Sequence, residues 1–290
     1  MEEDLCATLP DGRRLSYARY GDPAGMPVIF HHGWPSSRYQ AAFLDPIARE
    51  RGVAIIAPDR PGVGHSDSRP GRHFSDWPDD LAGLADQLGI GGFRILGVSG
   101  GGPYALAACA GLGDRIERAA ILCGAPPLAD KSDRSHMHWV YRTLATSTRL
   151  RRMALPGVVR LSRWMVARGP ERAPMSWMLR SIPEVDREAI FSSGGWAVVS
   201  RSFREATRRG APGMLEDGEV YLSKWDFDPG KITVPVHFWH GKADANLPFE
   251  VARKLAATVP TAETSWIEGQ GHYSLPVNHA GEALDWLKEG

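Results

Sequence analysis

The stretch RILGVSGGGPYALA, residues 94–107, constrains the fold more than any other part of this sequence, because one serine separates two kinds of local structure. The residues before Ser99 are mostly apolar strand formers, and the residues after it are alanine-rich helix formers. Glycines crowd the serine at positions 97, 100, 101 and 102. Small residues are needed where a strand turns sharply into a helix, since the backbone there is strained and the two elements pass close together. The stretch therefore predicts a strand, a tight turn that projects Ser99, and a helix whose first N–H groups point towards it.

The same order of strand and helix recurs along the chain. Strands are predicted at residues 13–20, 27–33, 53–59, 93–98, 116–124, 234–241 and 264–269, with helices near 40–51, 76–88, 102–112, 248–258 and 278–288. This alternation indicates an α/β protein with a mostly parallel sheet covered by helices on both faces. Between about Pro126 and Gly230 the pattern is helical and broken by proline and glycine. The sequence therefore predicts a core of residues 1–125 and 231–290, and a helical cap of residues 126–230 inserted between two late strands.

Composition restricts the classes of function that fit the chain. The 290 residues are 43% hydrophobic and 23% charged, which is typical of a globular protein. The formal net charge is zero, so the overall charge does not favour binding to nucleic acid or to an anionic membrane. The three cysteines (Cys6, Cys109 and Cys123) share no metal-binding spacing, which predicts free thiols and no metal site. The N-terminus lacks a basic region followed by an apolar stretch, and no apolar run reaches 18 residues. These features predict a cytoplasmic protein without a membrane span.

The Ser99 turn has three interpretations on the residues alone. A Gly-x-Ser-x-Gly turn between a strand and a helix is typical of a nucleophilic serine held clear of the sheet. A glycine-rich turn that only packs a helix against a sheet has the same composition. A phosphate-binding loop is disfavoured, because GVSGGGP lacks the lysine of a P-loop and the spacing of a dinucleotide-binding fingerprint. The nucleophile is the favoured interpretation because of the other motifs that the chain carries.

Five motifs in a fixed order make the chain resemble the α/β-hydrolase family over nearly its whole length. They are HHGWP at 31–35, DRPGVGHSD at 59–67, GVSGG at 97–101, GKAD at 241–244 and GQGH at 269–272. The order serine, acid, histidine is that of the family's catalytic residues. The chain departs from the family at Pro61-Gly62, where relatives often have arginine-glycine, and this position lies in a structural turn. The resemblance implies an α/β-hydrolase fold with a helical cap, and a hydrolase that uses no metal or organic cofactor.

The resemblance also implies a catalytic triad. Ser99 would be the nucleophile, His272 the base that takes its proton, and Asp244 the acid that orients His272. Asp130 is an alternative acid, because some relatives carry theirs after the preceding strand. Asp244 could instead have a purely structural role, in a turn or as a cap of the next helix.

The oxyanion hole implied by the resemblance consists of two backbone N–H groups, those of Trp34 and Gly100. Because only the amide of Trp34 would take part, its side chain remains available to line an acyl pocket. The chain has a His-Gly-x loop and no HGGG run, which separates it from the hormone-sensitive-lipase-like branch of the family.

The predicted cap is rich in aromatic and basic residues. It holds five of the ten tryptophans, and residues 131–210 carry sixteen Lys or Arg against six Asp or Glu. One interpretation is a lid over an apolar pocket, with arginines that meet anionic substrates or a lipid surface. The other is that the aromatic residues attach short helices to the core, while the arginines form a solvated face. The candidate pocket residues are Trp34, Trp139, Trp164, Trp177 and Trp196.

The favoured function is hydrolysis of a small-molecule carboxylic ester through an acyl-enzyme. A C–C bond hydrolase of ring-cleavage products, a lactonase or a perhydrolase would use the same triad, and the arginine-rich cap would suit acidic ring-cleavage products. Related dehalogenases and epoxide hydrolases have aspartate where Ser99 stands. A non-catalytic receptor on the same fold is the alternative from another class. The sequence predicts neither the length of the acyl group nor the oligomeric state.

Overall fold

An eight-stranded sheet runs through the core of the protein in the computed structural model, which describes residues 1–129, 147–192 and 194–289. Its strands are β1 (Glu2–Thr8), β2 (Arg14–Gly21), β3 (Met26–His31), β4 (Val53–Pro58), β5 (Phe93–Val98), β6 (Ile116–Leu122), β7 (Val236–Gly241) and β8 (Ala262–Ile267). In space they follow the order β1-β2-β4-β3-β5-β6-β7-β8. Strands β3 to β8 run parallel, whereas β2 pairs antiparallel with β4 and β1 antiparallel with β2. The predicted mostly parallel sheet is confirmed.

Helices cover both faces of this sheet. The described α-helices are α1 (Asp45–Glu50), α2 (Trp77–Gln87), α3 (Gly101–Gly111), α4 (Thr148–Arg168), α5 (Met175–Arg180), α6 (Glu184–Phe191), α7 (Gly195–Ala206), α8 (Pro212–Leu222), α9 (Phe249–Ala256) and α10 (Ser274–Lys288). Short 3₁₀ helices span Arg38–Leu44, Phe74–Asp76, Gly113–Arg115 and Pro229–Lys231. Helices α1 and α10 pack on one face, and α2, α3 and α9 on the other. Alternate side chains of the central strands therefore enter different apolar clusters, as Ile95 and Leu96 of β5 do.

Two elements differ from the sequence-based expectation. Strand β1 was not predicted, because its side chains alternate mainly between exposed and half-buried and so give a weak apolar signal at the edge of the sheet. Helix α10 begins at Ser274, four residues before the predicted start at 278. Pro276 lies in its first turn, where a missing N–H costs no intrahelical hydrogen bond. Proline at this place is therefore compatible with a helix that starts earlier.

Helices α4 to α8 lie between β6 and β7, at the place where the insertion was predicted, and residues 147–192 and 194–222 are called the cap below. The outer limits of the cap, 126–230, stay a prediction. Small apolar clusters join the cap helices to one another. One cluster consists of Met165, Met175, Leu179 and Ile190, and another of Leu155, Val159, Ala211 and Met214. In the described ranges, none of the helices combines the length and the hydrophobicity needed to cross a bilayer.

Three buried polar side chains attach the cap to the core. Asp186 of α6 accepts the N–H of His272 at 2.9 Å, and Ser202 of α7 accepts the N–H of Ser37 at 2.9 Å. Asp217 of α8 forms an ion pair with an arginine that follows β4. Because buried polar groups require partners, these contacts fix where the cap sits on the core.

Candidate active site

Ser99 lies on the turn between β5 and α3 with a φ of +54°, in a left-handed conformation that side chains rarely adopt. The neighbouring positions must be glycine because other atoms of the protein approach them closely. A Cβ at Gly97 would lie 3.0 Å from the Cβ of Ala105, and one at Gly101 would lie 2.0 Å from the carbonyl oxygen of His31. The turn can therefore form only with very small residues, and it projects the serine beyond the carboxyl edge of the sheet.

The carboxyl ends of the parallel strands bring Ser99, His272 and Asp244 together. His272 follows β8 and its Nε2 lies 2.9 Å from Ser99 Oγ, while its Nδ1 lies 2.7 Å from Asp244 Oδ2. Asp244 follows β7, and its second carboxylate oxygen accepts the N–H groups of Asn246 and Leu247, both at 2.8 Å. Asp244 therefore has the structural role in a turn that the sequence also allowed, and its carboxylate contacts His272 as well. This chain of contacts has the geometry of a nucleophile, a base and an orienting acid.

Burial and charge act in opposite directions on the ionisation of His272 and Asp244. Burial lowers the pKa of His272, but the Asp244 carboxylate and its hydrogen bond outweigh burial and raise that pKa above its ordinary value. Burial also favours neutral Asp244, yet the His272 ring and its hydrogen bond hold the pKa of Asp244 below its usual range. Asp244 is therefore an anion placed to stabilise an imidazolium on His272.

The loop after β3 lies against the Ser99 turn and carries one of the two predicted oxyanion donors. A Cβ at Gly100 would lie 3.0 Å from the amide nitrogen of Trp34, and a Cβ at Gly33 would lie 3.4 Å from the Cβ of Ser99. The structure therefore brings the amides of Trp34 and Gly100 close together next to the serine. Their role in binding an oxyanion stays a proposal.

The peptide group that carries the Trp34 N–H is fixed by the hydrogen bonds of its carbonyl. That carbonyl belongs to Gly33 and accepts from Arg60 Nη2 at 2.8 Å and from His32 Nδ1 at 2.9 Å. Arg60 Nη1 also donates to the carbonyl of His32 at 2.5 Å. Because the N–H and C=O of a trans peptide point in opposite directions, these bonds set the direction of the Trp34 N–H.

The peptide group that carries the Gly100 N–H is fixed in the same way. Its carbonyl belongs to Ser99 and accepts the N–H groups of Gly102 and Ala125, both at 2.9 Å. The next carbonyl, that of Gly100, accepts the hydroxyl of Tyr221 at 2.6 Å. Both candidate donor peptides are therefore oriented before any substrate binds, as electrostatic stabilisation of a transition state requires.

A buried ion cluster holds Arg60 in place, and sequence reasoning missed it. Asp217 of the cap accepts from Arg60 Nη2 at 2.8 Å, from Arg72 Nη2 at 2.7 Å and from the Tyr104 hydroxyl at 2.7 Å. Burial favours the neutral acid, but the two guanidinium groups outweigh burial and hold the pKa of Asp217 well below its ordinary value. One cap carboxylate thus supports the arginine that orients the Gly33 carbonyl.

A cavity of about 370 Å³ opens beside Ser99 and His272, between the core and the cap. Its walls are largely apolar, and the cap side includes Met165, Leu179 and Ile190. Among the lining residues that the structure describes there is no Asp, Glu, Lys or Arg. Such a volume and lining are typical of a site for an uncharged small molecule.

The five candidate pocket tryptophans occupy different places. Trp34 and Trp196 line the cavity. Trp164 and Trp177 are 49% and 65% exposed and are not among the lining residues. Trp139 lies outside the described residues, as does the alternative acid Asp130.

A cluster of possible metal ligands coincides with the triad. The side chains of Cys123, Asp244 and His272 place one donor atom each within 4.8 Å of one another. Burial strongly raises the pKa of the Cys123 thiol, which donates to the His272 carbonyl at 3.4 Å. Thiolate is the form of cysteine that binds metals, and the Asp244 and His272 side chains bond each other, so the three groups suit a metal ion poorly.

Comparison with known proteins gives one family and several named relatives. The family model described as alpha/beta hydrolase fold matches residues 26–278. The bifunctional esterase/perhydrolase DCH of Acinetobacter calcoaceticus is 29% identical over 257 residues, which cover 86% of each chain. A non-heme chloroperoxidase of Streptomyces lividans is 34% identical over 128 residues, or 43% of this chain and 46% of the relative.

Solved structures show the same fold. The crystal structure of a bromoperoxidase from Bacillus anthracis matches with a TM-score of 0.71 and 24% identity, and covers 98% of this chain and 99% of the other. At that identity the likeness concerns the arrangement of strands and helices alone.

Proposed function

Because this chain belongs to the alpha/beta hydrolase fold family, we propose that it is a serine hydrolase of carboxylic esters that works through an acyl-enzyme. The observation that carries the proposal is the continuous contact from Asp244 through His272 to Ser99. The named esterase activity of the Acinetobacter relative supports the choice of substrate class. The family and the named relatives support a hydrolase, and the ester specificity, the triad and the acyl-enzyme are the proposed part.

Acylation follows from the geometry of the three side chains. Ser99 Oγ attacks the ester carbonyl carbon while His272 Nε2 accepts the hydroxyl proton, and the negative Asp244 stabilises the resulting imidazolium. The oxygen that gains charge is bound by the amides of Trp34 and Gly100, each of which contributes about 3–4 kcal/mol in comparable sites. The imidazolium then gives its proton to the departing alcohol, and the acyl group remains on Ser99.

Deacylation repeats these steps with water as the nucleophile. His272 accepts a proton from the water that attacks the acyl carbon, and then returns that proton to Ser99 Oγ as the acid leaves. The same two amides bind the second oxyanion. The protons balance, because His272 passes the Ser99 proton to the alcohol and the proton of water back to Ser99.

The cavity supports esters with uncharged, apolar acyl groups. Anionic ring-cleavage products would need a cationic partner inside the site, because a buried carboxylate without one is strongly unfavourable. The described lining has no Lys or Arg, although the cap as a whole is basic. The cavity therefore favours the esterase over the C–C bond hydrolase.

We expect the rates on p-nitrophenyl esters to depend on acyl length, and Val199→Trp to shift that dependence. Val199 lines the cavity at a partly exposed position, where a larger side chain fills space with little cost in folding. The ratio of kcat/KM for octanoate to that for acetate should fall about tenfold or more in this variant. Initial rates from acetate to palmitate measure it.

The matched control is Val158→Trp, the same change at an exposed position outside the cavity lining. It should leave the ratio unchanged. Equal ratios in the wild type and in Val199→Trp would mean that the acyl group binds elsewhere.

A second candidate function is perhydrolysis, favoured by the name of the Acinetobacter relative. Hydrogen peroxide would attack the acyl-enzyme in place of water, pass a proton through His272 to Ser99 and leave as the peracid. We expect wild-type protein supplied with an acetate ester and hydrogen peroxide to form peracetic acid, and Ser99→Ala to form none. Release of acetate without any peracid would leave water as the acceptor.

A further inference from the structure

Asp186 of α6 is a cap residue whose carboxylate contacts the loop of the catalytic histidine. Its side chain is 1% exposed. One oxygen accepts the N–H of His272 at 2.9 Å, and the other accepts the N–H groups of Tyr273 and Ser274, both at 2.8 Å. A residue 86 positions away in sequence therefore binds three consecutive amides at the start of α10.

The Asp186 carboxylate caps the N-terminus of helix α10. The first N–H groups of a helix have no intrahelical partner and are usually bound by a side chain just before the helix. Tyr273, at that position, forms no side-chain cap, and the first turn of α10 contains no acidic residue. Asp186 supplies both the missing acceptor and a negative charge at the positive end of the helix.

The approach of Asp186 also explains a glycine in the GQGH motif. A Cβ at Gly271 would lie 2.3 Å from Asp186 Oδ2, closer than real Cβ contacts allow. Residue 271 must therefore be glycine while the cap carboxylate is in place. The motif therefore contains both the proposed base, His272, and the glycine that leaves room for Asp186 of the cap.

The His272 ring is held from two sides. Asp244 binds Nδ1 at 2.7 Å, and Asp186 binds the backbone N–H of the same residue. Loss of the backbone contact would let the ring shift relative to Ser99 Oγ, which now lies 2.9 Å from Nε2. We propose that Asp186 is a positioning residue, through which docking of the cap sets the orientation of the catalytic base. This inference rests on the proposed function, in which His272 is that base.

The charge of Asp186 adds a second consequence, for pH. Among the described residues, the ionisable groups around His272 are His240 of β7, Asp244 after β7, Cys123 after β6, the neighbouring Tyr273, and Asp186 from the cap. Burial lowers the pKa of His272, and the Asp244 carboxylate raises it. The Asp186 carboxylate raises the pKa of His272 further. Removal of this charge should lower that pKa, so His272 stays neutral and active to a lower pH.

The test is Asp186→Asn, which keeps the size of the side chain but loses the charge and part of the acceptor capacity. We expect kcat on p-nitrophenyl acetate to fall about 10- to 100-fold, the scale of a small misplacement of a catalytic group, with KM little changed. The acid limb of the profile of kcat/KM against pH should move to lower pH.

The matched control is Glu205→Gln. Glu205 is another cap carboxylate that contacts the core, through Arg38 Nη1 at 2.8 Å, and it is not among the described residues that line the cavity. Its removal should leave kcat and the acid limb unchanged. The same changes in both variants would overturn the proposal, since they would reflect a loosened cap in general.

A second variant tests the contact from its other side. In Gly271→Ala the new Cβ displaces the Asp186 carboxylate without altering it, and Gly271 has no positive φ that would disfavour alanine. We expect the same loss of kcat, and we expect the double variant to lose no more than the larger single loss. Additive losses would overturn the proposal.

NMR titration of ¹⁵N-labelled histidines separates this inference from the proposed function. His272 is assigned by comparison with His272→Ala, and its pKa should be lower in Asp186→Asn than in the wild type. An inactive wild type would remove the proposed function, while the titration would still measure the action of Asp186 on His272. An unchanged pKa of His272 in Asp186→Asn would overturn the inference even in an active enzyme.

Discussion

We expect Ser99→Ala to lower kcat for the proposed ester hydrolysis by about 10⁵- to 10⁶-fold, the size of the loss when a triad nucleophile is removed. The change removes only Oγ, whose described partner is His272 Nε2 at 2.9 Å. The left-handed φ at residue 99 disfavours serine and alanine alike, so folding should be preserved. Initial rates with p-nitrophenyl acetate, beside circular dichroism spectra of both proteins, measure the effect.

Ser200→Ala is the matched control for this prediction. The Ser200 hydroxyl donates to the Ala197 carbonyl of its own helix at 3.2 Å and lies outside the cavity lining. Activity and labelling by a fluorophosphonate should be retained in this variant, whereas Ser99→Ala should show neither. Full ester hydrolysis by Ser99→Ala would place the nucleophile elsewhere in the chain.

We expect Asp217→Asn to lower the free energy of unfolding by about 3–5 kcal/mol, the cost of removing one partner from a buried ion cluster. Asp217 is fully buried and is the carboxylate shared by Arg60 and Arg72. An amide cannot balance two buried guanidinium charges, so both lose most of their compensation. Unfolding in guanidinium chloride, followed by tryptophan fluorescence, measures the difference.

Asp285→Asn is the control for an ion pair at the surface. Asp285 is 55% exposed and pairs with Arg51 at 2.8 Å, so its loss should cost less than about 1 kcal/mol. Equal losses of stability in the two variants would contradict the importance assigned to the buried cluster.

The centre of the fold follows from local sequence, whereas the edge strand β1 does not. Buried strands such as 93–98 are short apolar runs bounded by glycine, a pattern that the parallel sheet requires on both faces. Strand β1 is held by backbone pairing with β2, and backbone pairing leaves little trace in side-chain composition. Helices α4 to α8 lie between β6 and β7, where the alternation of strands and helices stops in the sequence, and the division into core and cap stays a prediction.

The site was predictable where its residues stand in motifs. The contacts of Ser99, Asp244 and His272 link residues that each follow a strand of the parallel sheet, so sheet topology brings them together. Asp186 and Asp217 lack any such local signal, since their partners are 86 and 157 residues away in sequence. The cap arginines show the same limit, because the charge count over residues 131–210 cannot tell a cationic pocket wall from a solvated face, and the described lining contains no arginine.

The three buried contacts between cap and core determine what a domain-exchange experiment can transfer. A cap taken from another protein brings its own cavity wall, but without equivalents of Asp186, Ser202 and Asp217 it leaves the loops of His272, Ser37 and Arg60 without their partners. Substrate preference and catalytic alignment are therefore inherited together. Changes of specificity in such a protein should accumulate as single substitutions on the cavity-facing sides of α4 to α7, while the positions that bind the core stay as they are.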